Sequence, residues 1–133
     1  MRAILTDRVF QVLLLLAIVT PYVSRIPGAM IYGPHWLNSF LAGGIFGFLF
    51  LAVFDAIPVV VLYKLWRLRP DSKTALGLGG LTMVVVLGLF DGTVDLASDA
   101  QAALVLVIAP VYASIMLSIA WGLGLLIDRF ARK

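Results

Sequence analysis

The chain contains no cysteine, and His35 is its only histidine. Without cysteine there is no disulfide and no thiolate metal site. With a single histidine, one chain cannot supply bis-histidine haem ligation or a multi-histidine metal centre. Glutamate is missing as well, and all seven acids are aspartates. Charged residues make up 13% of the chain, where a soluble domain carries roughly 25%. No serine, histidine and acid can meet inside an apolar interior, and no glycine-rich phosphate loop follows a strand. These shortages argue against an enzyme. They also leave no expected cofactor or metal.

Apolar side chains fill the space that charge leaves. They account for 62% of the 133 residues, with a mean hydropathy of +1.08. A soluble fold of this size cannot hide that much apolar surface, so lipid is the expected medium. Four apolar segments stand out, at residues 9–24, 40–63, 74–90 and 102–127. A helix needs about 20 residues to cross a bilayer core of about 30 Å. The first segment is short by that measure and is expected to start near Thr6, which can cap it. The expected fold is all-α: a polytopic membrane protein made of one four-helix transmembrane domain over residues 1–133. The first segment has a basic lead like that of a signal peptide. However, Asp7 interrupts that lead, and residues 20–29 offer no small-residue cleavage site, so a retained helix is expected.

Turn residues punctuate the segments. Pro27-Gly28 and Gly33-Pro34 break residues 25–39, which read as an interfacial loop with Tyr32, His35 and Trp36 in the headgroup layer. Pro70 stops the second helix and Ser72 can cap the third. Ser98 and Gln101 have capping-box spacing ahead of the fourth.

Four crossings put both termini on one side. That side carries Arg2, Arg8, Lys64, Arg67, Arg69, Lys73, Arg129, Arg132 and Lys133, and the other side carries Arg25. With short loops, this asymmetry places both termini in the cytoplasm. A multi-pass protein of a bacterial inner membrane fits so small a chain. The net charge of +3 is therefore a topology signal, and no nucleic-acid partner is expected. Lys64, Arg67, Arg69 and Lys73 should lie at lipid headgroups, each base contributing about 1 kcal/mol toward an anionic surface.

Asp55 is the sharpest functional candidate, an acid far from both ends of an apolar span. Such a group should face protein or water rather than lipid. Counting from the span ends, Thr82 and Ser118 fall at the same depth, about 12 Å inside the cytoplasmic boundary. Ser114 lies one turn from Ser118. Two readings follow. Asp55 either hydrogen-bonds within this polar layer and pins the packing, or lines a path and binds a proton or cation. Small residues mark helix seams at Gly43 and Gly47, at Ala75 and Gly79, and along Ser114, Ser118 and Gly122. Asp91, Asp95 and Asp99 are spaced by four and read as a solvated loop. The run Phe90-Asp91-Gly92-Thr93 resembles part of the DxDGT motif of haloacid-dehalogenase phosphatases. Leu89 occupies the nucleophile position, so that chemistry is not implied.

The expected function is that of a small non-enzymatic integral membrane protein, a subunit of a homo-oligomer or of a larger inner-membrane complex. Its partners would be lipids and either further copies of itself or a larger membrane protein. The alternative is a homo-oligomeric ion channel or a proton- or cation-coupled small transporter that uses Asp55.

Overall fold

A computed structural model describes residues 7–94 and 102–131. These form five helices: α1 (Arg8–Tyr32), α2 (His35–Leu41), α3 (Gly44–Leu68), α4 (Lys73–Thr93) and α5 (Ala102–Ala131). No strand occurs among the described residues. Four of the helices are long and apolar enough to cross a membrane, and α2 is the short exception. Their outward faces carry Leu15, Phe46, Leu81 and Ile119, all more than half exposed. A helix in water would turn polar residues outward. These turn hydrocarbon outward, as a four-helix bundle in lipid does.

The four long helices form a ring in the order α1, α4, α5, α3. The closest pair is α4 with α5, and α1 packs on both α3 and α4. α3 and α4 meet across one diagonal, while α1 and α5 have no close backbone approach. The starts of α1 and α4 share one end of the bundle with the ends of α3 and α5. At that end Tyr63 Oη donates to Asp7 Oδ2 at 2.9 Å, and Ser72 Oγ bonds Asp128 Oδ2. Arg8, Lys64, Arg67, Arg69, Lys73 and Arg129 also cluster there, so we call it the basic end. The opposite end holds α2.

Local sequence explains the boundaries. Asp7 caps α1 by accepting from the Val9 amide at 2.9 Å, which leaves one fewer unpaired N–H in the first turn. Ser72 caps α4, as its position suggests, accepting from the Ala75 amide at 3.3 Å. The Thr6 cap and the Ser98–Gln101 capping box lie outside the described residues.

The segment 25–39 departs from the expected loop. α1 continues through Pro27 and Gly28 to Tyr32 and stops at Gly33, whose φ of 100° ends the helix. A positive φ suits glycine and few other residues. Gly28 stays helical for a packing reason: the Trp36 indole occupies the space where a β-carbon would stand. Only Gly33 and Pro34 separate α1 from α2.

Burial follows helical stripes. In α4 the buried positions are Ala75, Gly79, Met83, Leu87 and Asp91, each four residues apart. In α3 they are Leu51, Asp55, Pro58, Val59, Leu62 and Tyr63. In α1 they run from Phe10 through Leu13, Ala17, Thr20 and Pro21 to Arg25. A ten-residue apolar core joins these stripes to Ala113 and Leu117 of α5.

Of the small-residue seams, Gly79 is one within this chain. A β-carbon there would come 2.6 Å from Leu62 Cδ1. Gly124 forms another, pressed against the Ala75 backbone. Gly47 and Gly122 face open space, and Gly43 is an exposed helix cap.

Candidate functional site

Three charged side chains from three helices are enclosed in the half of the bundle away from the basic end. Arg25 of α1 is 0% exposed, Asp55 of α3 2%, and Asp91 of α4 1%. Each continues the buried stripe of its own helix, which is why each points inward. Asp91 lies four residues past Leu87 on an unbroken line.

Arg25 is clamped at its tip. Its Nη1 donates to the Trp36 carbonyl at 3.2 Å and its Nη2 to the Val94 carbonyl at 2.9 Å. The guanidinium carbon lies 6.0 Å from the centre of the Trp36 ring, within cation–π range. Trp36 Nε1 in turn donates to the Gly92 carbonyl at 3.2 Å. The arginine and the tryptophan thus tie α1 and α2 to the end of α4. The helices are close here: a β-carbon on Gly92 would come 2.9 Å from the Ser24 carbonyl oxygen.

The carboxylates are placed differently. The charge of Asp91 is felt at Asp55, and the charge of Arg25 is felt at Asp91. Oδ2 of each aspartate is buried, and no donor among the described residues reaches it. Fully buried prolines stand on three helices: Pro21, Pro58 and Pro110. Each lacks the N–H that would bond the carbonyl four residues earlier, at Ala17, Phe54 and Leu106. The nearby hydroxyls do not supply donors to the aspartates, because they turn back onto their own helices. Thr20 donates to the Leu16 carbonyl at 2.6 Å and Ser24 to the Pro21 carbonyl at 2.9 Å. Two buried carboxyl oxygens therefore stand without a hydrogen-bond donor among the described residues. Such a site suits a proton or a small cation, since either satisfies oxygen lone pairs. Among the described residues no three histidines or acids form a metal-binding group.

A cleft of about 420 Å³ opens at the first turns of α3, about two turns or more along that helix from Asp55. It is lined by Tyr22, Leu41, Gly44, Ile45 and Phe48.

The sequence suggests a different polar layer, and the structure does not assemble it. Ser118 donates to the Ser114 carbonyl and Ser114 to the Pro110 carbonyl, both at 2.7 Å. Thr82 is half-buried on α4 and makes no hydrogen bond to Asp55. Helix register is the reason. Leu62 packs on Gly79, so Asp55, seven residues before Leu62, lies level with the turn around Val86. Thr82 is about 6 Å nearer the basic end by helical rise. Arg25, read as a surface base, and Asp91, read as part of a solvated loop, are both buried. Asp95 and Asp99 lie outside the described residues. The two missed residues were readable as positions on the stripes 17, 21, 25 and 75, 79, 83, 87, 91.

Of the basic residues proposed to meet lipid headgroups, Lys64, Arg67, Arg69 and Lys73 are all exposed. Arg67 is partly engaged within the protein, 3.8 Å from Asp7 Oδ2 and donating to Tyr63 Oη at 3.4 Å.

No family model matches the chain, and neither a curated protein nor a solved structure matches it.

Proposed function

We propose that this protein is a small carrier or channel of the membrane, non-enzymatic, in which Asp55 and Asp91 together take up a proton or a small cation. One observation carries the reading: two enclosed carboxylates on facing helices each present an oxygen with no donor. An ionisable group kept in the apolar interior without hydrogen bonds is costly to folding, and in membrane proteins such groups mark ion or proton pathways. Transport by so small a bundle calls for several copies. The outward faces at Gly47 and Gly122, which meet nothing in this chain, are where copies would touch.

A second reading has its own support. The Arg25 clamp bonds two carbonyls and, with Trp36, joins three helices. On that ground the polar group would fix packing inside a subunit of a larger membrane complex. In either case the charge asymmetry favours an inner membrane with both termini cytoplasmic. The far end presents no exposed Lys or Arg among the described residues, because Arg25 is buried.

The two readings separate in proteoliposomes. Asp55→Asn should abolish proton or monovalent-cation flux while the protein still assembles. Unchanged flux in that variant, or no flux in the unaltered protein, would remove the carrier reading and leave the subunit.

A further inference from the structure

Asp55 and Asp91 are sealed as well as buried. Oδ2 of each has next to no surface that a water molecule could touch, and no donor among the described residues meets it. Apolar side chains on the same stripes do the sealing. Leu51 and Val59 flank Asp55 one turn to either side, and Leu87 precedes Asp91 by one turn. All three are buried, with Val59 and Leu87 at 0% exposure. Past Asp91, α4 is pressed onto α1 where Gly92 meets Ser24.

Space and charge together select among the positive species that such oxygens could take. A metal ion brings a volume of its own and must collect ligands. Mg²⁺ and Ca²⁺ gather about six or more oxygens at about 2.0–2.6 Å. Among the described residues no three histidines or acids form such a set. Na⁺ and K⁺ approach the size of a water molecule, and a space of that size does not reach either Oδ2. A proton adds no volume and needs one lone pair. It also cancels the charge, and an ionised carboxylate is far more costly to bury than a neutral acid. A metal ion would instead leave two charges, each paying its own desolvation.

We propose that the species held by Asp55 and Asp91 is a proton, bound directly on a carboxyl oxygen, and that the site does not admit a metal cation. This assignment rests on the carrier reading and narrows its substrate. Loading forms an O–H bond at Oδ2 with a proton taken from water and leaves a neutral acid. Release breaks that bond and returns the proton to water. The other titratable groups that face the pair are Arg25 and Tyr22 of α1 and Tyr112 of α5. The charge of Arg25 is felt at Asp91 and that of Asp55 at Tyr22. Tyr112 stacks near Phe90, the residue before Asp91. None of these three is a carboxylic acid, so the carbonyl stretch of a protonated acid distinguishes the pair from them.

The test is infrared spectroscopy of the detergent-solubilised protein at neutral pH, titrated with Li⁺, Na⁺, K⁺ and Mg²⁺ at constant pH. A protonated-carboxyl band should be present, should be unchanged by every metal, and should be lost from the Asp55→Asn, Asp91→Asn double variant. The metal titration is made on the unaltered protein and needs no variant to fold. In proteoliposomes, a lumenal pH dye should report the same proton flux whether choline, Na⁺ or K⁺ is the other cation. The proposal is overturned if the band is absent, if any metal displaces it, or if the double variant keeps it. Metal-ion flux without proton movement, lost in Asp55→Asn, would also overturn it while leaving the carrier reading in place. Absence of all flux would remove the carrier reading. The band would then decide alone: present and indifferent to metals supports a held proton, and any other result overturns it.

Discussion

The two halves of the bundle are built on opposite rules. In the basic half the interior is apolar: Phe10, Leu13, Leu62, Tyr63, Met83 and Leu117 are buried together. Its rim groups find partners, with Asp7 serving both the Val9 amide and the Tyr63 hydroxyl. One buried donor there, Trp121 Nε1, lacks an acceptor. In the far half the interior holds an arginine and two aspartates, and Oδ2 of each aspartate has no hydrogen-bond partner among the described residues. α3 shows the contrast within one helix. Its later half buries Val59 and Leu62 completely, while its first turns leave Ile45 69% and Phe46 83% exposed. Stability is thus concentrated at one end. The other end keeps, beside the Arg25 clamp, two carboxyl oxygens without donors, and a local rule broken in this way is the usual sign of a site shaped by function.

That contrast can be broken or sharpened by four substitutions. The largest effect is expected in the basic half. Leu62→Ala should lose about 2–5 kcal/mol by opening a cavity against Gly79. Equilibrium unfolding in mixed micelles reads it, and a loss well under that range would mean the basic half is not the stable one. Next comes Gly28→Val, which displaces the Trp36 indole and should lose about 1–3 kcal/mol. In a Trp36→Ala background the loss should largely vanish, so an additive double-mutant cycle would disprove the contact. Asp55→Leu should leave the melting temperature unchanged or higher, because it removes a buried group without a donor and replaces it with an apolar one of similar size. A clear drop would show that this carboxyl holds the helices together. The smallest effect is expected at Gly47→Leu, which meets open space. It should alter monomer stability by less than about 0.5 kcal/mol. If copies associate along that face, cross-linking yield will fall with no change in unfolding.

Much of this architecture can be read directly from residue patterns. The four crossing helices follow from the apolar runs, and the Ser72 cap follows from a short polar residue placed before one of them. The limits of reading lie where packing overrides local preference. Pro27-Gly28 has the form of a turn, yet it stays helical because Trp36, eight residues away, needs the missing side chain. Arg25 has the form of a surface base, since nothing nearby in the chain shows a carbonyl 69 residues later waiting for it. Asp91 has the form of a loop acid because the apolar run ends at Phe90, although the four-residue stripe of α4 carries one step further. Counting depth from span ends placed Asp55 beside Thr82. The helices are offset by about one turn, and an offset of that kind is set by side-chain fit rather than by where hydropathy changes.

The reach of Arg25 bears on how the molecule is made. The ribosome delivers that guanidinium long before it delivers Gly92 and Val94. While α1 and α3 form the first hairpin, the cation has the Trp36 carbonyl but not its second acceptor. An arginine at the centre of a span raises the insertion free energy by about 2.5–3.5 kcal/mol and one nearer the end, as Arg25 is, by less, so the nascent hairpin should linger at the translocon or let α1 ride toward the water until α4 emerges. Biogenesis would then pass through a waiting state with one helix out of place, released by the arrival of the third crossing segment.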